Sequence, residues 1–178
     1  MFNHEIKLIL FVVVANLCIS PISVGANLEL AQSPSAFSDP EKKSKLVNLW
    51  RPGDVGQRMY IRGRVTGLDG KPIAGASISI RQADGTGEYQ DRYQTTITSD
   101  EKGGYRFASV LPGQYYGVKH VHLWVTRDGY EPLNTEIVFK GDPNLDEATN
   151  PQAVFLEEGK IKGETILFGR FDMVMQPM

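Results

Sequence analysis

Residues 59–65 read "MYIRGRV". Met59, Ile61 and Val65 fall on one side of an extended chain, and Tyr60, Arg62 and Arg64 on the other. Alternation at period two marks a strand with one dry face and one wet face. The habit recurs downstream. In "ASISIRQ", Ala76, Ile78 and Ile80 alternate with Ser77, Ser79 and Arg81. "YRFASV", "HVHLWVTR", "NTEIVFKG" and "GRFDMVM" continue it. Between them lie turn formers: "LDGKP", "DEKGG", "LPGQ", "RDGYEP" and "KGDPN". No amphipathic helix of useful length interrupts the series. Short strands at regular spacing predict an all-β fold, an antiparallel β-sandwich with little helix.

The 178 residues suit one domain. The start, "MFNHEIKLILFVVVANLCISPISVGA", reads as a signal peptide over residues 1–26. Lys7 precedes an apolar run from Leu8 to Leu17, and Val24 and Ala26 stand at the −3 and −1 positions of a cleavage site. The run is shorter than the ~20 residues that span a bilayer. Export implies a secreted or periplasmic protein with no membrane anchor after cleavage. Cleavage would also remove Cys18, the only cysteine, so the mature chain is expected to be held by its core or by a metal. Residues 27–54 read as an irregular leader lying across the domain, with Trp50 as an anchor, and residues 55–178 as the sandwich. The formal net charge of −2 carries no electrostatic footprint for nucleic acid.

The chain holds only three histidines, and His4 lies in the signal segment. The remaining two, His120 and His122, share one face of one strand. Their Cα atoms should lie roughly 6.5–7 Å apart, since a strand rises about 3.3 Å per residue. Two imidazoles at that spacing can converge on one metal, and imidazole suits zinc, copper, iron and nickel alike. No third histidine or cysteine is available, and the plentiful carboxylates mostly sit in turns, where they read as solvated, so tyrosine is the remaining candidate. Tyr89 in "GTGEYQDRY" and Tyr115 in "LPGQYYG" sit at loop edges beside glycines. A phenolate is hard and anionic, and a bound ferric ion would stabilise it although the free group ionises near pH 10.

The order "RGRVTGLDGKPIAGASISIRQADGTGEY", "TSDEKGGYRFASVLPGQY", "HVHLWVTRDGYEPLNTEIVFKGDPNLD" resembles the intradiol ring-cleavage dioxygenases, the catechol and protocatechuate 3,4-dioxygenase family. The likeness covers about Ile61 to Asp146, and "FGRFDMVM" is similar to the family's closing strand. The resemblance implies one non-haem Fe(III) held by Tyr89, Tyr115, His120 and His122. It also implies a small aromatic diol and O2 as reactants and a muconate-type diacid as product. In that scheme Tyr115 is the ligand that leaves and takes the substrate proton. Tyr93 and Tyr116 are unmatched and are expected to line the pocket. The family's helical dimerisation region is missing or reduced to residues 27–54, which leaves monomer and homodimer both open.

One departure stands out. Where the family carries an arginine three residues before the first histidine, this chain has Gly117. Arg92 and Arg127 are the substitute cations the sequence offers, and Lys119 is expected to face away from His120. A second reading also fits parts of the chain. "GRVTGLDGKPIAGASISI" with "TSDEKGGYRFASVLPGQY" is similar to the non-catalytic carboxypeptidase-regulatory and transthyretin-like sandwich modules. A degenerate iron-binding relative without turnover is a third.

Overall fold

A computed structural model describes residues 44–115 and 117–178. The expected signal peptide, residues 27–43 of the leader and Tyr116 lie outside the described residues. The strands are β1 (Val47–Asn48), β2 (Arg58–Gly67), β3 (Ser77–Ala83), β4 (Tyr89–Thr98), β5 (Gly104–Val110), β6 (His120–Thr126), β7 (Leu133–Val138), β8 (Glu157–Ile161), β9 (Glu164–Arg170) and β10 (Met173–Met175). Among the described residues there is no helix.

Two sheets face each other. One has the order β1-β5-β2-β9-β8 with β10 also on β2, and the other the order β4-β3-β6-β7. Met59, Ile61 and Val65 from β2 and Phe107 from β5 meet Ile78 and Ile80 of β3, Val121, Leu123 and Val125 of β6, and Ile137 of β7. All are buried, as period two predicts, and their removal from water drives the two sheets together.

The second sheet is antiparallel throughout. The first is mixed, which departs from a purely antiparallel sandwich. β2 runs parallel to β9 over Met59–Arg62 and parallel to β10 over Val65–Gly67. The chain crosses from β9 to β10 at Phe171, whose N–H donates to Arg62 O at 2.9 Å. Gly63 makes room for the crossing, because a Cβ there would lie 1.7 Å from Phe171 O.

The expected leader is partly a strand of the fold. β1 pairs in parallel with β5, and Leu49 N–H donates to Ala108 O at 2.8 Å. Trp50 lies beneath the Arg58 guanidinium, 4.3 Å from its ring centroid. The folded domain therefore begins ahead of residue 55.

Candidate metal centre

β6 is a central strand of the second sheet. Its Val121, Leu123 and Val125 point into the core, so His120, His122 and Trp124 must point out. The approach to His120 is held by the "GDPN" turn. Asp142, itself buried, accepts from Lys119 N–H at 2.8 Å and from Asn144 N–H at 2.9 Å. Gly117 has φ +116°, a conformation that side-chain-bearing residues rarely adopt. An arginine held in this conformation would be strained.

Tyr89 opens β4 directly after a loop organised by Asp84. One carboxylate oxygen accepts from Thr86 N–H and Thr86 Oγ1–H, at 2.8 and 2.7 Å, and from Glu88 N–H at 3.1 Å. Burial pushes the Asp84 carboxyl up, but these donors outweigh it and hold its pKa below the usual carboxylate value. Gly113 N–H donates to Asp84 O at 2.7 Å, which joins this loop to the turn that carries Tyr115.

Glycine makes that junction possible. A Cβ on Gly87 would lie 2.3 Å from Gln114 O, and one on Gly113 would lie 2.3 Å from Gly87 N. The glycines beside Tyr89 and Tyr115 therefore do not free the side chains to be aimed, as their loop-edge setting suggests. They let two backbones touch and so fix one tyrosine against the other. The rings meet edge to face with centroids 4.9 Å apart.

Tyr89, His120 and His122 meet within hydrogen-bond distance, and Tyr115 touches the Tyr89 ring. His120 Nε2 lies 3.1 Å from His122 Nε2, and the Tyr89 hydroxyl lies 2.9 Å from His122 Nε2. Tyr115 stands beside Tyr89 at the rim, 39 % exposed. The ring nitrogens fix the tautomers. His120 Nδ1–H donates to the Val118 carbonyl at 2.8 Å, and His122 Nδ1–H donates to Glu136 Oε1 at 2.9 Å. Both Nε2 atoms of the neutral rings are then acceptors, and they face each other. Two lone pairs at that distance repel unless a cation stands between them. This donor set fits a metal ion.

The surroundings of His122 favour its neutral form. Burial lowers the His122 pKa and His120 lowers it further; Glu136 opposes this and Arg81 adds to it. Burial likewise raises the Tyr89 pKa, with Arg81 pulling it down and Tyr115 and Glu136 pushing it up.

Two residues of this site were not expected from the sequence. Glu136 of β7 and Arg81 of β3 stand directly across from His122 on its two neighbouring strands. His120, His122 and Glu136 form a cluster whose ligand atoms lie within 4.8 Å of one another. The Arg81 guanidinium lies 4.9 Å above the Tyr89 ring. The cation beside the site is thus Arg81. Arg92 is drawn away by Asp54 and Tyr93, and Arg127 reaches Gly75 O at 3.4 Å beyond the far end of β6. Tyr93 does not line the site either, since it is buried in the interior. The signal that could have found Glu136 and Arg81 is their outward position in the alternation of "NTEIVFKG" and "ASISIRQ".

The sequence profile of the Dioxygenase family matches residues 32–177. The chain is 33 % identical over 119 residues to catechol 1,2-dioxygenase 2 of Acinetobacter lwoffii, covering 52 % of this chain and 43 % of that one. It is 29 % identical over 160 residues to a chlorocatechol 1,2-dioxygenase of Rhodococcus opacus, covering 71 % and 62 %. The chain therefore spans between about two fifths and three fifths of the length of these relatives. Among solved structures, it is similar to the 3-chlorocatechol 1,2-dioxygenase of Rhodococcus opacus 1CP. The TM-score is 0.65 at 17 % identity, over 74 % of this chain and 65 % of that one. It is also similar to the dioxygenase domain of a dioxygenase carbohydrate-binding fusion from Streptomyces sp. SirexAA-E. There the TM-score is 0.61 at 22 % identity, over 76 % of this chain and 92 % of that one. These structural likenesses speak to the fold. The transthyretin-like alternative accounts for the sandwich but gives no role to the converging ring nitrogens.

Proposed function

The chain belongs to the Dioxygenase family, the intradiol ring-cleavage enzymes, and on that premise we propose that it binds one non-haem ferric ion and opens a catechol-type diol with O2. The observation that carries this reading is the pair of facing Nε2 acceptors with the Tyr89 hydroxyl beside them. His120, His122, Tyr89 and Tyr115 would hold the ion. A bound ferric ion would supply the electron-withdrawing activation that lets a catecholate ring react with O2, both oxygen atoms ending in a muconate-type diacid.

The chain's own groups have separate tasks. Val118 O and Glu136 hold the two imidazoles in the tautomer that presents Nε2. Arg81 favours the ionised form of Tyr89. Tyr115 accepts the proton of the incoming diol, a role supported by its exposed place beside Tyr89. Arg81 also takes over the stabilisation of negative charge on the substrate in place of the arginine that Gly117 displaces. The reading includes export to the periplasm or medium through residues 1–26, and recovery of a protein starting at Asn27 outside the cytoplasm tests that part.

The test is loading with ferrous salt in air. Tyrosinate bound to Fe(III) absorbs in the visible, so the loaded protein should be reddish-brown and consume O2 with catechol, protocatechuate or hydroxyquinol. Tyr89→Phe should abolish or strongly shift the band. A protein that stays colourless and free of iron sinks the proposal. A coloured protein inert to all three diols reduces it to an iron-binding relative.

A further inference from the structure

The outer face of the second sheet carries two parallel rungs of side chains. Antiparallel register places Gln94, Arg81, His122 and Glu136 in line across β4, β3, β6 and β7. Two residues along each strand, Thr96, Ser79, Trp124 and Asn134 form the next rung. Directly opposed residues share a face, and a two-residue step is roughly 6.5–7 Å. The first rung holds a metal-site histidine. The second has no assigned task.

All of these residues except Glu136 line one open groove of about 570 Å³, which reaches from His122 to Trp124 and Asn134. That volume belongs to the range of about 300–1,000 Å³ that takes a drug-sized ligand. It is far more than a single catechol ring needs. Trp124 is 49 % exposed in it. A lone exposed tryptophan is unremarkable on a surface. This one stands a single rung from His122, between a hydroxyl pair and an amide. Ser79 Oγ and Thr96 Oγ1 are 3.1 Å apart, and each hydroxyl retains capacity for a further partner.

We propose that the second rung is a subsite for the substituent of the substrate, and that the substrate is a catechol bearing a neutral, hydroxyl-rich group such as a glycosyl ester. This rests on the dioxygenase reading of the neighbouring site. A sugar has an apolar face that lies against an indole, and hydroxyls that pair with Ser79, Thr96 and Asn134. A carboxylate tail is disfavoured, because the second rung holds no cation. Arg81, the one arginine or lysine lining the groove, stands over Tyr89 at the metal end. A plain alkyl tail would desolvate the hydroxyls and amide without pairing them.

The test compares catechol, caffeic acid and the glucose ester of caffeic acid on iron-loaded protein. The expected kcat/KM is at least tenfold higher for the ester than for either other diol. Trp124→Ala should cut that preference about tenfold, and Trp124→Phe should restore part of it. A second readout needs no turnover. The glucose ester of the dimethoxy analogue, which lacks both ring hydroxyls, should quench tryptophan fluorescence of the metal-free protein saturably, and Trp124→Ala should lose that quenching. Equal kcat/KM for all three diols, or a preference for caffeic acid, overturns the subsite while leaving the dioxygenase reading intact. Iron-loaded protein inert toward every diol overturns the substrate assignment together with that reading, even where quenching shows a sugar in the groove.

Discussion

The Nε2 atoms of His120 and His122 stand 3.1 Å apart while both Nδ1 atoms are engaged, one by the Val118 carbonyl and one by Glu136. With both rings neutral, two lone pairs then face each other, and a bound cation relieves that opposition. Metal binding should stabilise the native state. Free ion at a hundred times its dissociation constant contributes about 2.7 kcal/mol, which for a domain of this size raises Tm by roughly 5–10 °C. Thermal melts with ferric ion and with excess chelator check this. Superimposable melts would argue against a built metal site.

Glu136 should matter to the metal rather than to the fold. Its side chain is about half exposed and covers no core. Its link to His122 Nδ1 orients the ring and raises its basicity. Glu136→Ala should weaken iron about 10–100-fold, the usual cost of losing such a partner. Glu136→Gln, which still accepts from Nδ1–H, should recover part of the loss. Competition with a chelator measures both, and the charge-transfer band should move in Glu136→Ala. Wild-type affinity in the alanine variant would remove Glu136 from the site.

The pH dependence follows from His122. Burial, with His120, places its folded pKa below that of the unfolded chain. The unfolded state then binds more protons in this range, so stability rises with pH there. The metal-free protein should be fully stable above the unfolded histidine value of about 6.5 and lose stability as pH falls below it. Asp84 and Asp54, whose pKa values are depressed, act only in the lower carboxylate range. At the alkaline end, the raised Tyr89 pKa costs stability only above the free phenol value of about 10. Urea midpoints at pH 7.5 and 5.5 read the histidine effect, and His122→Asn should flatten the difference. A midpoint that climbs on acidification contradicts the assignment.

Gly113 sets the spacing of the two tyrosines. A Cβ there would lie 2.3 Å from Gly87 N, and the three nearest atoms are all backbone. Gly113→Ala should push the two loops apart and cost about 1–3 kcal/mol, the range for overpacking. It should also disturb the charge-transfer band by separating Tyr115 from Tyr89. Gly129→Ala, where a Cβ meets nothing within 4 Å, is the control. It should cost only the smaller strain of a positive φ and leave the band unchanged. Equal effects from the two variants would show that the close approach is not what places the tyrosines.

Much of the sandwich was readable because period two is a local property. The alternation of "MYIRGRV" and "ASISIRQ" marks the buried faces of β2 and β3, and "HVH" places both histidines on one side of β6 whatever their neighbours are. β4 and β8 were hidden by the same logic. Each is an edge strand with few core contacts, so its residues are mostly polar and show little contrast between faces. Tyr89 thus looked like a loop residue, although it opens a strand.

What alternation cannot encode is register. Which residues face His122 depends on how three strands slide past one another, and that is set by distant turns and by packing of the opposite face. Glu136 lies across from His122 only because β7 pairs with β6 as it does, and Arg81 only through the matching pairing of β3. The contact of the Asp84 loop with the Gly113 turn likewise joins segments far apart in the chain. The residue types for a metal site and the face that bears the histidines lie in the local order of the chain. The partners that tune that site, and the groove beside it, come from long-range pairing.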